Sequence, residues 1–470
     1  MIVPSPPSGR PLDRPARERW SDAGPEWLFP EAAAPMTGAP LGGRLARTLP
    51  FYYGWIVLAA TGITSLSTRP LMAVSTLSVF VVPMTAHFGW SRGLFSGAVS
   101  LGGLVAVAIS PFVGRWIDRY GAGPVLAVTS LVAGGCAIGL ALIGQVWAFY
   151  ALYVPGRAVF AGPLELSTTT AVSNWFLRRR PLALGLFGVS QGTGLALMPL
   201  VAQAIIGGWD WRVAWASLGI YTIFVGVLPP LLLIGRRPED MGLEVDPASA
   251  DAPGPSDRAS VAGKEASAAS AEVHFTVREA IHTRAFWFLA AFSAAGFMAQ
   301  AGVALHQVPH YVDQGVPPSS AAFLASTFAL FIVPAGLIWS PLTRRVPARF
   351  LLACAGLSVA LGALTTGLTG TMGWGLLASA ALGNGVGGML FLLRLTWADY
   401  YGRRHLGAIR GLTLPVQVGG QAFGPVLSGF IFDATGSYRA AFFLFAAGAL
   451  LVSLAVLAGT PPKRPAPSPR

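Results

Sequence analysis

Four ionisable side chains stand where ionisable side chains are expensive. Arg69, Arg157, Glu165 and Arg394 lie inside long apolar runs. A charge at the centre of a membrane-crossing helix costs at least about 2.5–3.5 kcal/mol, so each is a functional candidate. Three guanidiniums against one carboxylate leave a positive site. A guanidinium grips a carboxylate through two parallel hydrogen bonds, with better geometry than an ammonium. The chemistry implied is reversible capture of a small organic anion, a mono- or dicarboxylate. Glu165 adds a group that can carry a proton. Its depth differs from that of Arg394 by only about 6 Å along regular helices. A pair between them, closing one gate until an anion displaces it, is the expectation. Blander roles compete: Arg394 could reach the membrane surface, Arg157 could brace two helices, and Glu165 could simply neutralise an arginine. His306 is a second proton-sensing candidate because histidine titrates near neutral pH; the plain reading makes it and His310 hydrogen-bonded residues at a mouth.

These residues need rigid elements to bring them together. The chain has 470 residues, 53% hydrophobic and 11% charged, against about 25% charged in an ordinary soluble protein. About 20 apolar residues cross a bilayer as a helix. Twelve runs qualify: 55–82, 92–113, 123–144, 147–174, 182–206, 213–234, 286–311, 319–342, 349–369, 374–398, 409–432 and 439–459. In the fourth, Arg157, Ala161, Glu165 and Thr168 share a face at helical spacing. Thr61, Ser65, Arg69, Met72 and Thr76 stripe the first, and Ser293, Gln300, Gln307 and Tyr311 the seventh. Asn384 adds an amide to the tenth. Such faces can line a wet cleft, with Arg69, Arg157, Glu165, Gln300, Gln307, Asn384 and Arg394 as its substrate-binding set.

The chain also writes one stretch twice. Asn174-Trp175-Phe176 with Arg178 to Arg180 returns as Asp399-Tyr400-Tyr401 with Arg403 and Arg404. Gln191, Gly194 and Pro199 return as Gln417, Gly420 and Pro425, each displaced by 226 positions. A repeat of nearly half the chain means two similar halves. The expected fold class is an all-α integral membrane protein, twelve transmembrane helices in two six-helix bundles. The expected boundaries are a disordered tail 1–48, a bundle 49–235, a linker 236–284, a bundle 285–460 and a tail 461–470. A net charge of +12 does not signal nucleic acid. Arg115, Arg119, Arg178 to Arg180, Arg236, Arg237, Arg344, Arg345, Arg403 and Arg404 fall on one side of the crossings, with only Arg92, Arg212 and Arg439 on the other. That bias sets both termini in the cytoplasm. Cys136 and Cys354 read as small core residues and not as a disulfide or metal pair. No phosphate loop, nucleophile motif or metal-ligand spacing suggests an enzyme or a cofactor.

Gly114-Arg-Trp-Ile-Asp118-Arg119-Tyr-Gly121, between the second and third crossings, resembles the loop signature of the major facilitator superfamily, Gly-x-x-x-Asp-Arg-x-Gly. Ala122-Gly123-Pro124 replaces the customary basic residues after it, which implies a weaker loop lock. Tyr52-Tyr53-Gly54-Trp55, Trp90-Ser91-Arg92, Asn174-Trp175-Phe176 and Arg278-Glu279-Ala280 are similar to the branch of oxalate/formate exchangers and monocarboxylate porters. The resemblance spans roughly residues 50–460. It implies a cavity lined by the first, fourth, seventh and tenth crossings, exposed alternately to each side, with Gly114, Asp118, Arg119, Gly121, Arg178 and Arg403 at moving parts. The branch often carries a basic residue in the eighth or eleventh crossing; here 319–342 has none and Arg410 only opens the eleventh, so no named substrate follows. The expected function is secondary transport of an organic anion by proton symport or exchange, by a monomer in the cell membrane. A proton-driven exporter of drugs or metabolites, and a receptor that binds without moving its ligand, are the alternatives.

Overall fold

Apolar runs become long helices, and prolines decide where they break. The computed structural model describes residues 45–46, 48–176, 179–243, 275–368, 370–402 and 405–462. Most of the expected tails, the 244–273 part of the linker, Arg178 and Arg403 lie outside the described residues. Among those described, every regular element is a helix.

The first crossing is two helices and not one. It runs α1 (Gly54–Leu71) and α2 (Val74–Phe88), parted at Met72 and Ala73, whose extended backbone (φ −73°, ψ 150°) follows Pro70. The second and third are α3 (Arg92–Tyr120) and α4 (Ala122–Leu140). The fourth comprises α5 (Val146–Val159), a π turn at Phe160–Leu164 and α6 (Glu165–Trp175). Pro163 has no N–H to give the regular ladder, and a wider turn absorbs the fault. There follow α7 (Arg180–Gly208), α8 (Trp211–Leu233), the short α9 (Val277–Ile281) and α10 (Arg284–Asp313). The eighth crossing is also divided, at Val333 and Pro334, into α11 (Pro318–Ile332) and α12 (Ala335–Leu342). Last come α13 (Ala348–Leu368), α14 (Met372–Tyr401), α15 (Leu406–Thr435) and α16 (Arg439–Ala455).

Ten helical stretches among the described residues are long and apolar enough to span a membrane, α1 with α2 and α11 with α12 each counting as one. The two expected crossings outside that set are the fourth, interrupted by its π turn, and α15, which carries Pro415, Pro425, Gln417 and Gln421. Large apolar side chains such as Leu104, Phe224, Leu337, Phe430 and Leu451 are exposed on the helices. An apolar surface of that extent belongs against lipid. The two thiols are free, but Cys354 is on this outer surface and Cys136 only half-buried, so neither is the enclosed core residue expected.

The repeated glycines explain themselves in packing. A Cβ on Gly194 of α7 would come within 2.6 Å of Leu66 O on α1, and one on Gly420 of α15 within 2.3 Å of Ala294 O on α10. Equivalent glycines thus let equivalent helix pairs approach backbone to backbone, the way helices associate in lipid. Gly424, one turn on, is tighter still: its Cβ would sit 2.1 Å from Met298 O. Gly424→Ala is therefore expected to destabilise the protein by about 1–3 kcal/mol, read as a lower unfolding midpoint in detergent, whereas Gly419→Ala, with nothing within 4 Å, leaves it unchanged.

Candidate functional site

The break in the first crossing and the π turn in the fourth face each other, and the charged candidates gather there. Arg69, near the end of α1, forms an ion pair through Nη1 with Glu165 Oε2 at the start of α6. Glu165 therefore pairs within its own half of the chain. The expected Glu165–Arg394 pair is not formed: Arg394 is exposed on α14 and reaches Glu165 only through its field. The reason lies in the π turn, which changes the rotation of everything after Phe160 relative to a regular helix, so that Glu165 turns toward α1.

Phe160, in that turn, serves both cations. Its ring centre is 4.4 Å from the Arg157 guanidinium and 5.5 Å from that of Arg69, close enough for cation–π attraction. Arg157 is 5% exposed. Gly102 on α3 makes room for its stem, since a Cβ there would lie 2.6 Å from Arg157 Cβ. Arg157 Nη1 donates to Met72 O at 3.2 Å, and Nε has no partner. Two guanidiniums and a carboxylate are therefore held around one ring, with Arg157 lacking a carboxylate of its own among the described residues.

The amide candidates are more scattered. Gln421 Nε2 donates to Gln300 Oε1 at 3.4 Å, and Ser293 Oγ to Gln417 Oε1 at 3.3 Å. Gln307 is buried with Nε2 unpartnered, and Asn384 is half-buried with Oδ1 unpartnered. These polar groups line α10, α14 and α15. Gln417 and Gln421 were not singled out as ligands from the sequence, although the repeat marks the first of them.

One end of the molecule is sealed across the halves, by charges that in the sequence carry only a topological meaning. Arg92, opening α3, bonds Asp313 at the end of α10 with both Nη atoms, Nη2 to Oδ1 at 2.8 Å. Its guanidinium lies 4.1 Å from the centre of the Phe432 ring. Asp433 on α15 accepts from the Arg92 and Gly93 amides at 3.2 and 3.0 Å, capping α3 from the other half. Tyr438 OH accepts from Arg92 Nη1 at 3.3 Å, and burial pushes its phenol up, so it remains protonated. Further in, Ser100 Oγ donates to Ala422 O.

His306 belongs to this seal. It is wholly buried, with Nε2 3.2 Å from Ser96 Oγ, Nδ1 2.8 Å from Ser428 Oγ and 3.2 Å from Gly302 O. A neutral ring satisfies all three neighbours, donating from one nitrogen and accepting at the other. His306→Gln is accordingly expected to leave the response of uptake to a pH gradient unchanged, measured in liposomes, while loosening the seal. With that end closed, Glu165 and Arg69 still keep 45% and 20% of their side chains exposed.

At the opposite end stands the loop signature. Gly121 closes α3 at φ +86°, a left-handed conformation that favours glycine. A Cβ there would also meet Arg236 Cβ at 3.2 Å. Arg236 Nη2 donates to Asp118 O, and the Arg119 guanidinium lies 5.5 Å from the Tyr120 ring. The loop is thus fastened to the residues after α8. Gly114 has open space around it.

The sequence profile of the Major Facilitator Superfamily matches residues 70–417 and 311–470. Among curated relatives, Monocarboxylate transporter 11 of Homo sapiens is 28% identical over 448 residues, covering 90% of this chain and 85% of its own length. Monocarboxylate transporter 12-B of Danio rerio is 24% identical over 432 residues, 86% of each. Among solved structures, the nucleoside transporter NupG superposes with a TM-score of 0.66 at 13% identity, over 86% of this chain and 99% of that one.

Proposed function

Because the chain belongs to the major facilitator superfamily, it is a multi-pass membrane transporter and not an enzyme, and we propose that it carries a small organic monocarboxylate by alternating access. The observation that carries the substrate class is Arg157: a guanidinium deep in the molecule, with Nε unpartnered and no carboxylate bound to it among the described residues. Burying an unpaired charge is strongly unfavourable, so a mobile anion is the natural complement. The named monocarboxylate transporters among the relatives agree with that chemistry.

The grouping of Arg69, Arg157 and Glu165 around Phe160 supports the following assignment of working parts. Arg69, Arg157, Phe160 and Glu165 form the anion and proton site, with Gln300, Gln307, Asn384 and Arg394 on the opposing wall. Protonation of Glu165 releases Arg69 and makes the site more positive, so proton and anion enter together; symport is the coupling this arrangement favours. Two six-helix bundles, 49–235 and 285–460, rock about the site, with Gly114 to Gly121, Arg178 and Arg403 at the moving loops. The excess of arginine at the Gly121 end favours the cytoplasm for that end and both termini, with this conformation open inward. The protein works as a monomer in the cell membrane.

Uptake into proteoliposomes of labelled acetate, butyrate, benzoate, amines and sugars, with and without an inward proton gradient, tests the reading. Saturable, gradient-stimulated uptake of at least one carboxylate is expected. Uptake of an amine and of no carboxylate points to an exporter of cationic compounds, and binding without uptake to a receptor; either result overturns it.

A further inference from the structure

We propose that the carboxylate is seated at the break in the first crossing, between the Arg157 guanidinium and the free amide end of α2, and that the site takes a single negative charge. This rests on the reading of the chain as a carboxylate carrier and gives that site an address.

The break is built of donors. α2 begins at Val74 after an N-cap, Ala73, whose side chain has no oxygen, and no side chain caps the helix. The amides of Val74, Ser75 and Thr76 are those a helix start leaves without an intrahelical acceptor. They lie at the positive end of a 15-residue helix. Val74, Ser75 and Thr76 are only 7%, 7% and 0% exposed, so bulk water does not serve them in this conformation. Leaving buried donors unmet costs about 1–3 kcal/mol each.

Independent of the helix end, Arg157 reaches the same place from α5. Its Nη1 bonds Met72 O, two residues before α2 starts, and its Nε is unpartnered at 5% exposure. Thr76 Oγ1, one turn into α2, is buried and unpartnered too. A guanidinium, a set of orphan amides and a hydroxyl meet at one interruption, with the Met72 carbonyl as the acceptor among them. An anion supplies the missing acceptors: two oxygens for the Arg157 fork, with lone pairs left for the amides, as at other half-helix ends inside membranes. Phe160 walls one side of the guanidinium and suits an apolar tail. The charge count sets the valence. Glu165 compensates Arg69, which leaves Arg157 as the uncompensated cation at the break. While Glu165 stays ionised on Arg69, a monocarboxylate neutralises Arg157, whereas a dicarboxylate would carry a second charge with no free cation beside it.

The test uses the purified full-length chain in lipid nanodiscs and titrates acetate, butyrate and benzoate, with butyramide as the uncharged control and succinate as the dianion. Thr76→Val keeps the shape of the side chain and removes only its hydroxyl, so the protein is expected to fold; the dissociation constant of the bound monocarboxylate should rise at least about tenfold, the scale of one hydrogen bond to a charged group. Arg157→Gln should raise it by about a hundredfold or more, Arg157→Lys by less, and butyramide and succinate should bind neither wild type nor variants. If the wild type binds none of the carboxylates, the carrier reading fails and the seat with it. If the wild type binds but Thr76→Val and Arg157→Gln retain its constant, the carrier reading stands and the seat is wrong. Should Arg157→Gln not fold, Thr76→Val decides alone: an unchanged constant makes Arg157 a brace across the break. Binding of succinate as tight as butyrate overturns the single-charge assignment.

Discussion

Glu165→Gln is expected to abolish the stimulation of uptake by a proton gradient while leaving exchange of the anion, at equal pH on both sides, close to normal. Glu165 is held by its ion pair with Arg69. In the proposed cycle, Glu165 has two states: ionised and bound to Arg69, or protonated with Arg69 released. The second presents an extra positive charge beside Phe160 and Arg157, so it binds an anion more tightly. Proton and anion are thereby linked, and linkage of this kind amounts to a coupling free energy, reciprocal between the two ligands. Glutamine fixes the neutral state. It still binds the anion but no longer returns a proton, so the gradient has nothing to act on. A loss of about 100-fold in gradient-driven initial rate is expected, near the upper end of usual coupling energies. The sign is definite: wild-type uptake rises as external pH falls, and that of the variant does not. Arg69→Gln should also lose the response, because protonating Glu165 then frees no cation. The measurement is the ratio of initial rates with and without the gradient, in proteoliposomes of equal protein content. A Glu165→Gln protein that keeps the wild-type ratio would remove Glu165 from the coupling step.

How much of this was legible in the sequence depends on how far regular helix geometry holds. The apolar runs predicted crossings well, because length and composition alone decide whether a helix can live in lipid. The charged residues within them were also plain, and Arg69, Arg157 and Glu165 do come together. Their partners were not legible. The projected Glu165–Arg394 pair rested on depth along regular helices, and depth does not say which way Glu165 turns after the π turn at Phe160–Leu164. The cue was present in Pro163, eight residues after Pro155, yet a proline in a membrane helix can give a kink, a wide turn or nothing visible. The same holds for Pro70, which foretold some irregularity but not a full break at Met72 and Ala73 with no side-chain cap on the helix that follows. The displaced glycines were legible as packing features, and Gly194 and Gly420 pack as equivalents. Arg92 shows the opposite failure. Counting loop charges assigned it to topology, because a one-dimensional count does not show which loops from different halves meet. Only the fold brings Arg92, Asp313 and Asp433 within bonding distance.

That meeting carries the second large prediction. Arg92→Ala is expected to open the sealed end. Arg92 holds Asp313 with two bonds and lies over Phe432, so one side chain ties α3 to both α10 and α15. Removing one partner of a fully buried ion pair costs about 3–5 kcal/mol. Here the side chains retain 13% and 32% exposure, and a discounted figure of about 1–3 kcal/mol is appropriate. Since about 1.4 kcal/mol is tenfold in an equilibrium, the closed state should lose roughly 5- to 150-fold to the open one. The seal is not expected to vanish, because Asp433 still caps α3 through backbone amides and His306 still bridges Ser96 and Ser428. The readout is the distance between spin labels at Leu142→Cys and Trp374→Cys, in a chain whose two native cysteines are replaced by serine. Both positions are exposed and lie at the sealed end, one in each half. The parent should give one short distance, Arg92→Ala and Asp313→Asn a second and longer one, and Arg92→Lys a mixture, because an ammonium keeps the charge but loses the planar fork. The tie matters for transport because a carrier that cannot keep one end shut while the other is open leaks its gradient. Arg92→Ala should therefore still exchange anion across the membrane but fail to accumulate it. Identical distance distributions in the parent and in Arg92→Ala would show that the apolar packing between α3 and α15 keeps this end closed without the charges.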